Sequence, residues 1–188
     1  MLSGRTGTLW VLCLAFFLCG LGGVFCCGLA DEADLREIRD CLKNFMSQGG
    51  TGGSVLSVIW QCGCSLLLVL VLGTTPLGSL GIPLVLGESG FLLGFSMSCF
   101  YRSCGGMGFL LGLIVLGLTA LLRIPMLFLA GSRGAGLCRE PPDKRTQEMN
   151  QMIGVHLLEY LMLLGGCVLI EYAGVPFFLE KLSGVIVL

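Results

Sequence analysis

Five long apolar stretches divide the chain, and polar or glycine- and proline-rich segments separate them. The apolar stretches cover residues 8–30, 54–73, 82–101, 106–130 and 152–172. Each is close to the roughly 20 residues that a helix needs to cross a ~30 Å hydrocarbon core. The pattern predicts an all-α protein, a polytopic membrane helical bundle of about five transmembrane helices that forms one membrane domain.

The first apolar stretch has some features of a cleavable signal peptide. It follows Arg5, and it ends with the small residues Gly28 and Ala30. Its apolar part is, however, much longer than the roughly 7–15 residues found in the apolar core of a signal peptide. We therefore predict an uncleaved membrane helix over 8–30.

The polar segment 31–48 is predicted to form an amphipathic helix. Its apolar face consists of four residues at helical spacing, Leu35, Ile38, Leu42 and Phe45. Asp31 is suited to cap the start of this helix, and Gly49 is suited to end it. The apolar face is a candidate docking surface for a partner or for the membrane interface. The alternative is a connector that packs against the protein's own bundle, and both interpretations stay open here.

A second polar segment, 131–151, is predicted to be a hydrophilic loop. It holds the densest group of basic residues in the chain, Arg139, Lys144 and Arg145. Basic residues are enriched in cytoplasmic loops of membrane proteins. Apart from Arg123, the basic residues divide evenly between the two sides when this group is included, so only its density indicates the orientation. We expect a multi-pass protein of the cell membrane with a cytoplasmic N-terminus.

Composition excludes several classes of function. The chain is 55% hydrophobic and only 12% charged, and its net charge of −1 provides no basic field for nucleic acid. Most of the eleven cysteines lie inside apolar stretches, where cysteine packs as a small hydrophobic residue. The Cys-Gly-Cys sequence at 62–64 lacks the spacing of a zinc or thioredoxin motif, and the single histidine is His156. We expect no metal and no cofactor, and the lipid bilayer as the surroundings.

Catalytic motifs are also missing from the sequence. It contains no HExxH, no GxSxG and no phosphate-binding GxxxxGK[ST] motif. A single histidine leaves no Ser/His/Asp set that can be argued from spacing. We therefore expect no catalytic residue and a role other than that of an enzyme.

Two GxxxG motifs lie on either side of a predicted turn near residues 103–104. One consists of Gly90 and Gly94, and the other of Gly108 and Gly112. Small residues at this spacing let helix backbones approach closely. We predict that the four glycines pack the two helices of this hairpin against each other.

Two ionisable residues, Glu88 and Arg123, lie within these same apolar stretches. Residues at equal distance from the turn share a depth in the membrane, and Arg123 is about one helical turn from the position opposite Glu88. A charge in hydrocarbon is costly unless it is paired or reaches the interface. Three roles stay open: a structural ion pair or interfacial placement, a transport or proton-relay site, and contact with a partner protein.

The same region carries a recognisable series of motifs. The series consists of a GxP turn (Gly81-Ile82-Pro83), a glycine-phenylalanine repeat (Gly90-Phe91 and Gly94-Phe95), a glycine turn (Gly105-Gly106), and Pro125 ahead of Ala130-Gly131. Over about 54–131 the chain resembles the stage II sporulation protein M family of integral membrane proteins. It departs from that family at Ser89, because family members often have a basic residue immediately before the first glycine of the repeat.

The resemblance implies a membrane scaffold without chemistry of its own. Its expected partners are membrane-anchored peptidoglycan hydrolases similar to stage II sporulation proteins D and P, which act during engulfment in endospore formation. The alternative from a different class is a small membrane transporter or channel subunit that uses Glu88 and Arg123.

Overall fold

The protein is a bundle of long α-helices. The computed structural model describes residues 2–33, 36, 37, 40, 44, 55–75, 77–138 and 142–178. Its long helices are α1 (Leu2–Gly28), α2 (Val55–Thr74), α3 (Gly78–Gly112), α4 (Leu118–Leu137) and α5 (Pro142–Leu169). One π-helical turn, Leu113–Gly117, joins α3 to α4, and another, Ile170–Gly174, extends α5. The described residues contain no strand, which confirms the all-α prediction.

Three of these helical stretches are long and apolar enough to cross a membrane. They are Gly7–Gly28, Gly78–Leu137 and Leu158–Phe178. A shorter apolar helix, Cys62–Thr74, lies within α2. The middle stretch has 60 residues, far more than one crossing requires.

That 60-residue stretch folds back on itself at Gly105. This residue has φ 62° and ψ −142°, a conformation that glycine adopts easily because it has no Cβ. The chain before it therefore reverses direction, and Gly112 lies beside Met97 and Phe100. The turn predicted near residues 103–104 is thus a hairpin centred on Gly105, with arms at 78–104 and 106–137.

The helices alternate in direction along the chain. α1 and the first hairpin arm run parallel, because Phe16 packs on Gly90 and Cys27 packs on Cys99. α4 runs antiparallel to that arm and to α5, as the Ile82–Gly131 and Arg133–Glu159 contacts show. The start of α1, the α2–α3 turn and the end of α4 consequently lie at one end of the bundle.

The core lies where these helices meet at that shared end. Its largest fully buried side chains come from α1, α2 and both hairpin arms: Leu12, Val69, Ile82, Leu86, Met126 and Leu127. The outward faces also carry large apolar residues, for example Trp10 and Leu80. Extensive exposed apolar surface on long helices is what a hydrocarbon environment requires.

Much of the predicted hydrophilic loop 131–151 is helical. α4 continues to Leu137, and α5 begins at Pro142. The extension of α4 packs closely because its residues are small: Gly134 meets the backbone of Gly73, and Gly131 meets Ile82. Sequence polarity suggested a loop, but small residues let this part of α4 lie against α2 and α3.

The π-helical turn near the end of α5 has a local cause. Pro176 has no backbone N–H to donate and its ring crowds the preceding turn. The chain widens ahead of it, and the N–H of Val175 donates to the carbonyl of Ile170, five residues back. This wider turn carries Glu171.

Candidate functional site

The most extensive helix contact in the described structure joins α1 to the first hairpin arm. Gly90 lies against the carbonyl of Phe16, and Gly94 lies against the backbone of Gly20. Gly23 is enclosed in the same way, because a Cβ there would meet the carbonyl of Phe91 and come within 2.8 Å of the Phe95 nitrogen. These are contacts between backbones, so no larger side chain fits without moving a whole helix.

The two predicted glycine motifs therefore pack on different partners. Gly90 and Gly94 face α1, whereas Gly108 and Gly112 face the hairpin, where they lie against Phe100. All four glycines lie at close helix contacts, but the motifs do not face each other. Sequence spacing identifies a small-residue face, and it does not say which helix covers that face.

The structure does not pair Glu88 with Arg123. The Arg123 guanidinium donates to Ser65 Oγ on α2 at 2.9 Å. The side chain of Glu88 is exposed, and no described residue forms a hydrogen bond or an ion pair with it. The hairpin places the two residues at similar depth, as the spacing argument requires. The side chain of Arg123, however, is hydrogen-bonded to α2 and not to Glu88.

The surroundings of Arg123 are polar but incompletely hydrogen-bonded. Its Nε is buried and has no hydrogen-bond partner among the described residues. Cys62 of α2 and Cys167 of α5 are both fully buried in the bundle. Arg123 thus links α4 to α2 in the middle of the bundle.

A second polar cluster, which the sequence did not indicate as a unit, ties α4 to α5. Arg133 donates to Glu159 Oε2 at 3.1 and 3.2 Å and to the Tyr160 hydroxyl at 3.2 Å. Its guanidinium also lies 5.7 Å from the centre of the Tyr160 ring. His156 Nδ1 is 3.0 Å from the same carboxylate oxygen, without hydrogen-bond alignment. The His156–Glu159 spacing was visible in sequence, but Arg133 comes from another helix.

Arg102 and a pair of cysteines hold the C-terminal end of α1 against the first hairpin arm. Arg102 donates to the carbonyl of Cys27 in the last turn of α1 and to the carbonyl of Ala30 just beyond the helix. Beside it, the buried Sγ atoms of Cys27 and Cys99 are 3.3 Å apart. The cysteine count could not identify this pair, because Cys26 and Cys27 are adjacent in sequence and only Cys27 faces the bundle.

The predicted docking face on segment 31–48 consists of Leu35, Ile38, Leu42 and Phe45, and all four lie outside the described residues. Its described neighbours include Glu32 and Arg36, which form an exposed ion pair of 3.9 Å. The docking role of this face stays a prediction.

A comparison of the chain with protein-family profiles, with curated proteins and with solved structures finds no match.

Proposed function

We propose that this protein is a non-enzymatic membrane scaffold of a peptidoglycan-remodelling complex. It holds membrane-anchored cell-wall hydrolases, similar to stage II sporulation proteins D and P, at their site of action, as in engulfment during endospore formation. The motif series around the hairpin motivates this choice. The observation that carries it is the interlocked contact of α1 with the first hairpin arm, where glycines bring the backbones together.

Such a contact suits a scaffold because it fixes the outer surface of the bundle. Helices joined through backbone atoms slide or separate only at the cost of the whole interface. Side-chain contacts, Arg123–Ser65 and Arg133–Glu159, attach α4 to α2 and to α5. A rigid bundle with apolar outer faces presents a constant surface to the membrane helices of its partners.

In the proposed orientation, the protein lies in the cell membrane and its N-terminus is in the cytoplasm. The start of α1 shares an end of the bundle with the α4–α5 connection, which precedes the basic residues Lys144 and Arg145. Cytoplasmic segments are enriched in such residues. Segment 31–48 then lies on the outer side, where peptidoglycan hydrolases act.

The transporter alternative has less support from the geometry. A relay through Glu88 and Arg123 needs both groups on one path, yet Arg123 faces Ser65 inside the bundle and Glu88 is on an exposed face. Neither residue contacts the other, so the arrangement favours a structural role for Arg123.

Co-purification from native membranes tests the scaffold. We expect the tagged protein, extracted in mild detergent, to enrich a peptidoglycan hydrolase or its membrane anchor relative to an untagged strain and to an unrelated multi-pass protein of similar abundance. Targeted mass spectrometry of hydrolase peptides provides the measurement. Recovery of the protein alone or only as a homo-oligomer contradicts the proposal.

A further inference from the structure

One face of the first hairpin arm is apolar, exposed and centred on a carboxylate. It is formed by Leu80, Leu84, Glu88 and Leu92, which are spaced four residues apart and so lie along one side of the helix. The three leucines are 77%, 72% and 52% exposed, and Glu88 is exposed between them. We call these four residues the Glu88 stripe.

The carboxylate of the Glu88 stripe is deep along the helix. At 1.5 Å per residue, it lies about 15 Å from the start of α3 at Gly78. Counted from residue 82, where the predicted apolar stretch begins, the distance is still about 9 Å. A glutamate side chain is too short to reach the interface from there, unlike the long side chains of lysine and arginine. The carboxylate therefore needs a partner within the membrane.

The described part of this chain does not provide that partner. The basic side chains on the neighbouring arms are engaged elsewhere: Arg102 with the end of α1, Arg123 with Ser65, and Arg133 with Glu159. The glycine face of the same arm is covered by α1, so the stripe is on a different side of the helix. A second copy docking symmetrically would bring two carboxylates together, which like-charge repulsion disfavours.

We propose that the Glu88 stripe binds a single transmembrane helix of a partner protein, which places a lysine or arginine opposite Glu88 and aliphatic residues against Leu80, Leu84 and Leu92. The basic side chain satisfies the carboxylate, and the leucines supply the packing on either side. This inference rests on the proposed scaffold function and deepens it by naming the surface and the chemistry of the partner. It assigns Glu88 to recognition between helices.

A synthetic transmembrane peptide of defined sequence tests this charge complementarity. The probe is a leucine-rich single-span peptide with one central lysine, mixed with the full-length protein in phosphatidylcholine vesicles. Energy transfer between fluorophores on peptide and protein measures association. We expect the lysine peptide to bind about tenfold more tightly than the same peptide with a central leucine, because only lysine pairs with the carboxylate.

Three variants make the test specific. Glu88→Gln should lose the preference for lysine, and Glu88→Lys should instead prefer a peptide with a central glutamate. The double variant E88Q/L67E moves the carboxylate to an exposed position on α2 and should not restore binding. Thermal unfolding in detergent checks that each variant folds, and Glu88→Gln removes no contact within the described structure.

Two results overturn the proposal: equal binding of lysine and leucine peptides to the wild type, or full recovery of binding in E88Q/L67E. Either outcome can occur while hydrolases still co-purify with the protein. In that case the scaffold stands and its docking surface is elsewhere. Conversely, selective peptide binding without hydrolase co-purification supports the stripe and contradicts the identity of the proposed partners.

Discussion

At the scale of single residues, two adjacent glycines on α1 have opposite surroundings. Gly23 is buried against the first hairpin arm, with the carbonyl of Phe91 and the nitrogen of Phe95 where a Cβ would be. Gly22 has no atom within 4 Å of the corresponding position. In the sequence, both are glycines of the same apolar stretch. Only the direction in which each residue faces shows that Gly23 is required for helix packing and Gly22 is not.

This difference predicts the effect of one methyl group. Gly23→Ala should lower the free energy of unfolding by about 1–3 kcal/mol, the range for overpacking, because the atoms in its way are rigid backbone. Gly22→Ala is the matched control and should leave stability unchanged or slightly higher, since alanine favours helix. Unfolding of the purified protein in detergent micelles measures both. Equal stability of the two variants would contradict the described α1–α3 contact.

At the scale of helices, hydrophobic patterning located the elements but not their neighbours. The apolar stretches 54–73 and 106–130 correspond to α2 and to the second hairpin arm, because segment length and glycine breakers are local properties. The partner of Gly90 is α1 and the partner of Arg123 is Ser65. Such pairings depend on how all helices assemble, which spacing along one helix does not encode.

The end of α1 offers a direct test of helix pairing. The test uses a variant that retains only Cys27 and Cys99 as cysteines. We expect diamide to oxidise the two thiols to an intramolecular disulfide. Diamide accepts the two thiol hydrogens and is itself reduced. The 3.3 Å separation of the sulfur atoms places them within reach with little backbone movement. Intact mass and faster migration on non-reducing gels report the bond.

The control for this cross-link is the adjacent cysteine. A variant that retains Cys26 and Cys99 should form little intramolecular disulfide, because Cys26 is exposed and faces away from the hairpin. Similar yields from both pairs would show that α1 rotates freely against the hairpin. The described face of α1 against the hairpin would then be wrong.

At the scale of the whole molecule, glycines and polar contacts have different tasks. Backbone contacts hold α1 to the first hairpin arm, whereas Arg123 and Arg133 attach the remaining helices through hydrogen bonds and an ion pair. The carboxylate of Glu88 forms no hydrogen bond and no ion pair with another described residue. Within the described bundle, Glu88 is thus an exposed carboxylate without a partner, which is the feature that the proposed docking of a partner helix uses.

Localisation of a hydrolase in living cells tests this account most directly. A fluorescently tagged, membrane-anchored peptidoglycan hydrolase is imaged in host cells that lack the protein and in cells complemented with the wild type or with Gly22→Ala. The account predicts discrete hydrolase foci in both complemented strains and dispersed fluorescence in the strain without the protein. Hydrolase foci that persist unchanged without the protein would contradict its role as a scaffold.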